Sequence, residues 1–303
     1  MKNMTKLFYP IVLLFLFITF RVSAQSTNSL REKILQLVST RNAVVGVSIS
    51  GNNGKDTLSI NGEEHFPLQS VFKFPIALTV LHEVDKGRLS LNQKILLNQS
   101  DLLPNTWSPL RGKYPNGNVK ISLAEILKYT VSESDNNGCD ILLRLIGGAM
   151  KVNDYIHKIG IKDVSIVANE EEMHKAWDVQ FLNWITPKAS TSLLKLFYER
   201  RILSKKSYEY LWKIMSETSI GKDRIKGQLP KGTIVAHKTG TSDTNEQGVT
   251  ASINDIGIVI LPNGKYFAIS VFVSNSKENN ETNEKMISDI SKLAWDYFLL
   301  KTK

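Results

Sequence analysis

Within Ser29 to Arg41, apolar residues fall at Leu30, Ile34, Leu37 and Val38, a spacing of three to four that predicts an amphipathic helix. The run AVVGVSIS, Ala43 to Ser50, then reads as a strand, GNNGK as a turn, and Asp56 to Ile60 as a second strand. From about Phe66 the apolar period becomes helical. Helices are expected at Val71 to Lys86, stopped by Gly87, and at Leu123 to Tyr129, opened by a capping box from Ser122 to Glu125. Others are expected at Asp140 to Ile146, stopped by Gly147-Gly148, at Val152 to Ile159, stopped by Gly160, and at Ser190 to Arg200. Strand character returns in GTIVAHKTG, Gly232 to Gly240, in Ser252 to Leu261 and, after the turn PNGK, in Tyr266 to Val273. An amphipathic helix from about Asn283 to Leu300 closes the pattern.

Strands at both ends with helices between them predict an α+β architecture. One antiparallel sheet flanked by helices would draw on residues 25–65 and 216–303, with an all-helical lobe inserted at 66–215 and a cleft where the lobes meet. No internal repeat or Pro-rich linker divides the chain.

The first residues change the picture. Lys2 and Lys6 precede an apolar run from Leu7 to Phe20, and Val22-Ser23-Ala24 follows as a small-residue cleavage site. This reads as a secretory signal peptide over residues 1–24, cut near Ala24. The apolar run is shorter than the roughly 20 residues that span a bilayer. Export to the periplasm or beyond is therefore expected, with no membrane attachment after cleavage. Lys2, Lys6 and Arg21 leave with the leader, which has no acidic residue, so the formal charge falls from +9 to +6. The lysines are spread without a basic block, which argues against a nucleic-acid partner. Cys139 is the sole cysteine, so no intramolecular disulfide can form, and a buried, inert thiol is expected. The five histidines show no zinc-binding spacing, so no metal or other cofactor is expected.

Candidate chemistry begins at LQSVFKFPIALTVL, where Ser70 and Lys73 open an apolar helical run. Serine is a favoured helix N-cap, and residues three apart share a helix face, so the pair alone admits a bland reading and a functional one. The same spacing recurs at Ser192/Lys195, Ser219/Lys222 and Ser274/Lys277. Three further elements matter: Ser134-Asp135-Asn136 between helices, Lys238-Thr239-Gly240 on a late strand, and Glu170 to Glu172 in an otherwise irregular stretch. Each is weak alone. In this order and on these elements, SxxK, SDN and KTG together form the set that marks serine-reactive β-lactam enzymes, which selects Ser70.

On these motifs the chain resembles the class A β-lactamases along nearly its whole length, and ANEEEMH and ESDNNGCD resemble an extended-spectrum subgroup with an atypical loop around the second carboxylate. The resemblance implies the serine β-lactamase/D,D-peptidase-like fold, a β-lactam substrate and a monomer. It makes Ser70 the nucleophile, with Lys73 a proton acceptor if desolvated near Lys238. Ser134 would pass a proton to the ring nitrogen and Asn136 would bind the acylamino side chain, while Asp135 braces the loop. Backbone N–H groups of Ser70 and Thr241 would form the oxyanion hole. Gly240 would leave room for substrate along the strand, and Lys238, Thr239, Thr241 and Arg224 would receive its carboxylate. Counting from KTG and from Thr186-Pro187 puts Glu170, not Glu171 or Glu172, at the position of the base that activates the deacylating water. Whether lysine or glutamate is the acylation base stays open.

Departures from the family pattern are also legible. His174 stands where an asparagine usually helps hold the water, and Ala168 and Asn183 replace the arginine and aspartate that tie the loop's ends. The loop is thus expected to lack its brace. Trp107 falls at an aromatic gate position, with a core tryptophan as the alternative, and Ser242 beside Thr241 suits cephalosporins, including extended-spectrum ones, alongside penicillins. Two rival readings share the serine and the lysines: a penicillin-sensitive D,D-peptidase and a non-catalytic β-lactam-binding sensor. Both would acylate without turning over.

Overall fold

The computed structural model describes residues 26–301; the leader expected at residues 1–24 lies outside them. A five-stranded antiparallel sheet is built from both ends of the chain. Its strands are β1 (Val44–Gly51), β2 (Asp56–Ile60), β3 (Val235–Thr241), β4 (Thr250–Ile260) and β5 (Tyr266–Ser276), in the order β2-β1-β5-β4-β3. The strand that carries Lys238-Thr239-Gly240 is thus an edge strand, paired on one side with β4, Thr239 opposite Asp255.

Besides a short helix at Pro109–Lys113, the helices of the described residues are α1 (Thr27–Val38), α2 (Lys73–Asp85), α3 (Leu123–Ser132), α4 (Asn136–Ile146), α5 (Ala149–Lys158), α6 (Glu170–Met173), α7 (Pro187–Tyr198), α8 (Lys205–Ser216) and α9 (Asn280–Leu300). The two-residue period of the strands sorts the core into halves. On β5, Phe267, Ile269, Val271 and Val273 pack against α1 and α9 residues such as Ile34, Ile287 and Phe298. Ala268 and Phe272 face the other way and join the core of the helical segment with Phe66, Leu78, Leu127 and Leu194.

Local chemistry moved several expected boundaries. Asp135, in an extended conformation, accepts the Gly138 N–H at 2.7 Å and starts α4 at Asn136, four residues before the apolar period suggests. Thr186 caps α7 in the same way and precedes a proline at the first helical position. The capping box expected at Ser122 is half formed. Ser122 accepts the Glu125 N–H at 3.2 Å, but the Glu125 carboxylate instead takes Tyr114 Oη at 2.7 Å and Lys113 Nζ at 3.0 Å. The stretch expected to be irregular contains the one-turn helix α6, opened by a complete capping box between Asn169 and Glu172. Among the described residues, no helix is long and apolar enough to cross a membrane.

Candidate active site

Ser70 does not cap a helix. It sits inside a single 3-10 turn, Gln69–Phe72, entered through a left-handed Gln69 with φ of 46°, and α2 begins only at Lys73. The turn is seated by the Leu68 N–H, which donates to the Asn183 carbonyl at 2.9 Å. Lys73 is fully buried, and its ammonium spends three donors on Ser70 Oγ at 2.7 Å, Ser134 O at 3.0 Å and Asn136 Oδ1 at 2.5 Å. A fourth neighbour, Glu170 Oε1, lies 2.6 Å from the same nitrogen, yet has no aligned hydrogen bond. With all three N–H directions taken, that contact is held by opposite charge.

A second lysine approaches from the sheet. Lys238, also fully buried, donates to Ser134 Oγ and to its neighbour's carbonyl, Thr239 O, both at 2.9 Å. Burial pushes the Lys238 ammonium well below the usual lysine range, and the like charge of Lys73 adds to the effect. Ser134 itself is left-handed, with φ of 57°, at the entry to α4. Two hydroxyls, two ammonium groups and one carboxylate therefore meet where α2, the α3–α4 loop, α6 and β3 converge.

An open cleft of about 560 Å³ runs past Ser70, Asn136, Glu170, His174, Thr241 and Ser242. It adjoins a hollow of about 320 Å³ lined by Ser70, Trp107, Ser134, Asn136, Thr239 and Thr241. Trp107 is no core residue. It is 59% exposed, with only its Nε1–H tied down, on Glu133 O at 2.8 Å. Arg224 is no surface residue either: it is 4% exposed and donates to Gly240 O and Asn254 O at 2.9 Å, to Thr241 Oγ1 at 2.7 Å and to Glu284 Oε1 at 3.0 Å. Asn136 uses both ends of its amide, with Nδ2 on Thr106 Oγ1 at 2.7 Å.

One expectation needs correction, and two gain detail. At Gly240 a Cβ would meet Leu68 O at 2.7 Å and Gln69 Cβ at 3.0 Å, so the missing side chain also lets the Ser70 turn pack on the strand. The loop opposite is not unbraced. Asn183, fully buried, accepts the Val167 and Ala168 N–H groups at 2.8 and 3.0 Å and donates to Ala168 O at 2.8 Å. A shorter polar side chain thus ties the loop by way of its backbone, without an ion pair. Finally, the His174 imidazole, which lines the cleft, directs Nδ1 at the carbonyl of Glu170, 2.6 Å away, so that nitrogen carries the proton. Its contact is with the turn that carries the carboxylate.

Other residues, marked by no motif, also hold the site. Asp140 accepts the Glu170 and Glu171 N–H groups at 2.9 and 3.0 Å, and Gln69 Nε2 donates to Gln180 Oε1 at 2.7 Å. The Asn169-to-Glu172 capping spacing was the one available sequence signal for α6. Nothing local announces the others. Cys139 is buried as expected, and burial pushes its thiol well above the ordinary range, away from thiolate chemistry.

Residues 29–298 match the model of the beta-lactamase enzyme family. The chain belongs to that family. This β-lactamase is 54% identical over 293 residues to beta-lactamase VEB-1 of Pseudomonas aeruginosa, covering 96% of this chain and 97% of that one. It is 44% identical to the extended-spectrum beta-lactamase PER-1 of Pseudomonas aeruginosa, over 94% and 92% of the two chains. The crystal structure of the TLA-1 extended-spectrum beta-lactamase superposes with a TM-score of 0.89 at 55% identity, covering 90% of this chain and 99% of that one. The fold is that of the class A β-lactamases, and the activity of the chain is β-lactam hydrolysis.

Proposed function

We propose that this β-lactamase works through an ester on Ser70 that Glu170 helps water to cleave. The observation that carries this reading is the position of Glu170: 6% exposed, 2.6 Å from Lys73 Nζ, and lining the same cleft as Ser70. A carboxylate turned to bulk solvent could not serve a water at the ester; this one can.

Acylation starts with Ser70 Oγ attacking the lactam carbonyl while Lys73 Nζ, 2.7 Å away, takes its proton and passes one of its own to Glu170, 2.6 Å away. The developing oxyanion is received by the backbone N–H groups of Ser70 and Thr241. As the ring C–N bond breaks, Ser134 Oγ, held at 2.9 Å by Lys238, gives its proton to the departing nitrogen and recovers one from the Lys73–Glu170 pair, which leaves Glu170 ionised. Lys238, the Thr239 and Thr241 hydroxyls and Arg224 receive the substrate carboxylate. Asn136 Nδ2 exchanges Thr106 for the acylamino carbonyl, and Trp107 and Ser242 flank the mouth of the cleft. In deacylation Glu170 takes a proton from water as the water attacks the ester, the bond to Ser70 Oγ breaks, and the proton returns to Oγ by way of Lys73, regenerating the serine. His174 steadies the turn that carries the base.

The substrates are cephalosporins, extended-spectrum ones included, and penicillins, a breadth in keeping with the similarity to the extended-spectrum β-lactamases PER-1 and TLA-1. No cofactor takes part. The enzyme acts as a monomer outside the cytoplasm after loss of its leader. Purified enzyme is expected to turn over a chromogenic cephalosporin many times per active site. A single stoichiometric burst with no further product would overturn this in favour of a D,D-peptidase or a sensor.

A further inference from the structure

Behind the edge strand lies a buried ionisable pair that the reaction above does not use. Asp255 on β4 and His237 on β3 are both fully inaccessible to solvent. Both Asp255 carboxylate oxygens approach His237 Nδ1, at 3.0 and 2.9 Å, so Nδ1–H donates, and His237 Nε2 is buried without a partner. One carboxylate oxygen also accepts the Ile225 N–H at 3.1 Å. Burying a carboxylate is costly unless it finds a charged, hydrogen-bonded setting.

The surroundings supply one. Ile225 follows Arg224, and its peptide is gripped on both sides: the N–H by Asp255 and the carbonyl by Ser291 Oγ of α9, at 2.9 Å. The preceding β4 residue, Asn254, accepts from Arg224 itself at 2.9 Å. Asp255 is also the ladder partner of Thr239, whose carbonyl receives Lys238. Two cations feel the charge of this anion, Lys226 on the turn before β3 and Lys238 on the strand, while Arg224 on the same turn pairs with Glu284 of α9.

We propose that Asp255, gripped by His237, is a positioning residue for the carboxylate-receiving side of the cleft: it fixes the turn that carries Arg224 and places a buried negative charge beside the strand that carries Lys238. Substrate never touches it. Asp255 acts through Arg224 and Lys238, and the proposal rests on the reading that they receive the substrate carboxylate. Its charge opposes the downward push that burial and Lys73 exert on Lys238, with Glu170 adding to it from the helical side and Arg224 working against it. Removing the charge therefore lowers the pH at which Lys238 loses its proton.

The test compares wild type with Asp255→Asn, which keeps the shape and lets His237 change tautomer, and with Asp255→Ser, which leaves room for a water. Thermal melts establish that the variants are folded. The pH profile of kcat/KM is read with a cephalosporin as free acid and as its methyl ester. Loss of one buried charge interaction predicts an alkaline limb about one pH unit lower and about a tenfold lower kcat/KM for the acid, with less than about a twofold change for the ester. An unmoved limb in a folded neutral variant, or equal losses on acid and ester, overturns the proposal. Should wild type treat acid and ester alike, the carboxylate-receiving reading fails, and the position of the limb alone decides the role of Asp255.

Discussion

The carboxylate of Asp140 accepts the backbone N–H of Glu170 at 2.9 Å and, with its other oxygen, that of Glu171 at 3.0 Å. One side chain on α4 thereby holds the first turn of α6 against the helical segment, and with it the base that faces Ser70. The contact has a cost: burial raises the Asp140 carboxyl to about 6 from an ordinary 3.8, although the Glu170 N–H bond opposes the rise.

This sets a pH dependence for Asp140→Asn. A carboxyl whose folded-state pKa is raised adds stability that is full below its unfolded pKa and is lost as the pH climbs through its folded value, here from about 4 to about 6. At about 1.4 kcal/mol per unit, wild type should lose up to about 3 kcal/mol relative to the variant across that window. Denaturant unfolding of both proteins at about pH 4 and about pH 8 reads the difference. The acceptor lost by the variant shifts both measurements alike and cancels. A gap between the proteins that is the same at both pH values would reject this account.

Glu170→Gln keeps the size of the side chain and removes its basicity. Acylation should leave a covalent adduct on Ser70, and deacylation should slow by about a thousandfold, within the span ordinarily lost with a general base. Intact-protein mass spectrometry after mixing with a cephalosporin checks this. Rapid return of the unmodified mass would mean that another group activates the water.

Asn183→Ala strips the loop of its internal brace. It leaves the Val167 and Ala168 N–H groups and the Ala168 carbonyl without their buried partner, a loss of about 2 to 4 kcal/mol. Thermal unfolding together with steady-state turnover should show a less stable protein that also deacylates slowly. Wild-type stability would place the brace elsewhere.

Gly240→Ala tests how tightly the Ser70 turn sits on the edge strand. The new methyl would stand 2.7 Å from Leu68 O, and overpacking of this kind costs about 1 to 3 kcal/mol. Because the displaced atoms belong to the turn, kcat/KM should fall along with the melting temperature. A variant with lower stability but unchanged kcat/KM would show that Ser70 keeps its place when the turn yields.

The strands β1, β4 and β5 and the helices α2, α3 and α9 were legible because each carries its own apolar period, which depends only on residues within a turn or two. Their ends were less so. Asp135 and Thr186 moved the starts of α4 and α7 through single capping bonds that the apolar pattern does not contain. Lys73, Ser134, Glu170 and Lys238, singled out by residue type and order, do lie together, whereas the brace of the loop was misjudged. Replacing arginine and aspartate by Ala168 and Asn183 removes an ion pair, but an amide can satisfy two backbone donors at once.

The chain by itself determined the order of strands and helices and supplied the hydroxyls, ammonium groups and carboxylate of the site, because period and residue type are local properties. Tertiary structure alone decided which of them touch. Lys73 meets the Ser134 carbonyl across 61 residues and Lys238 meets the Ser134 hydroxyl across 104, distances over which no local pattern speaks. It also decided that Asp140 and Asn183 are structural anchors, since the partner of a buried polar group is set by whatever packing brings within hydrogen-bond reach.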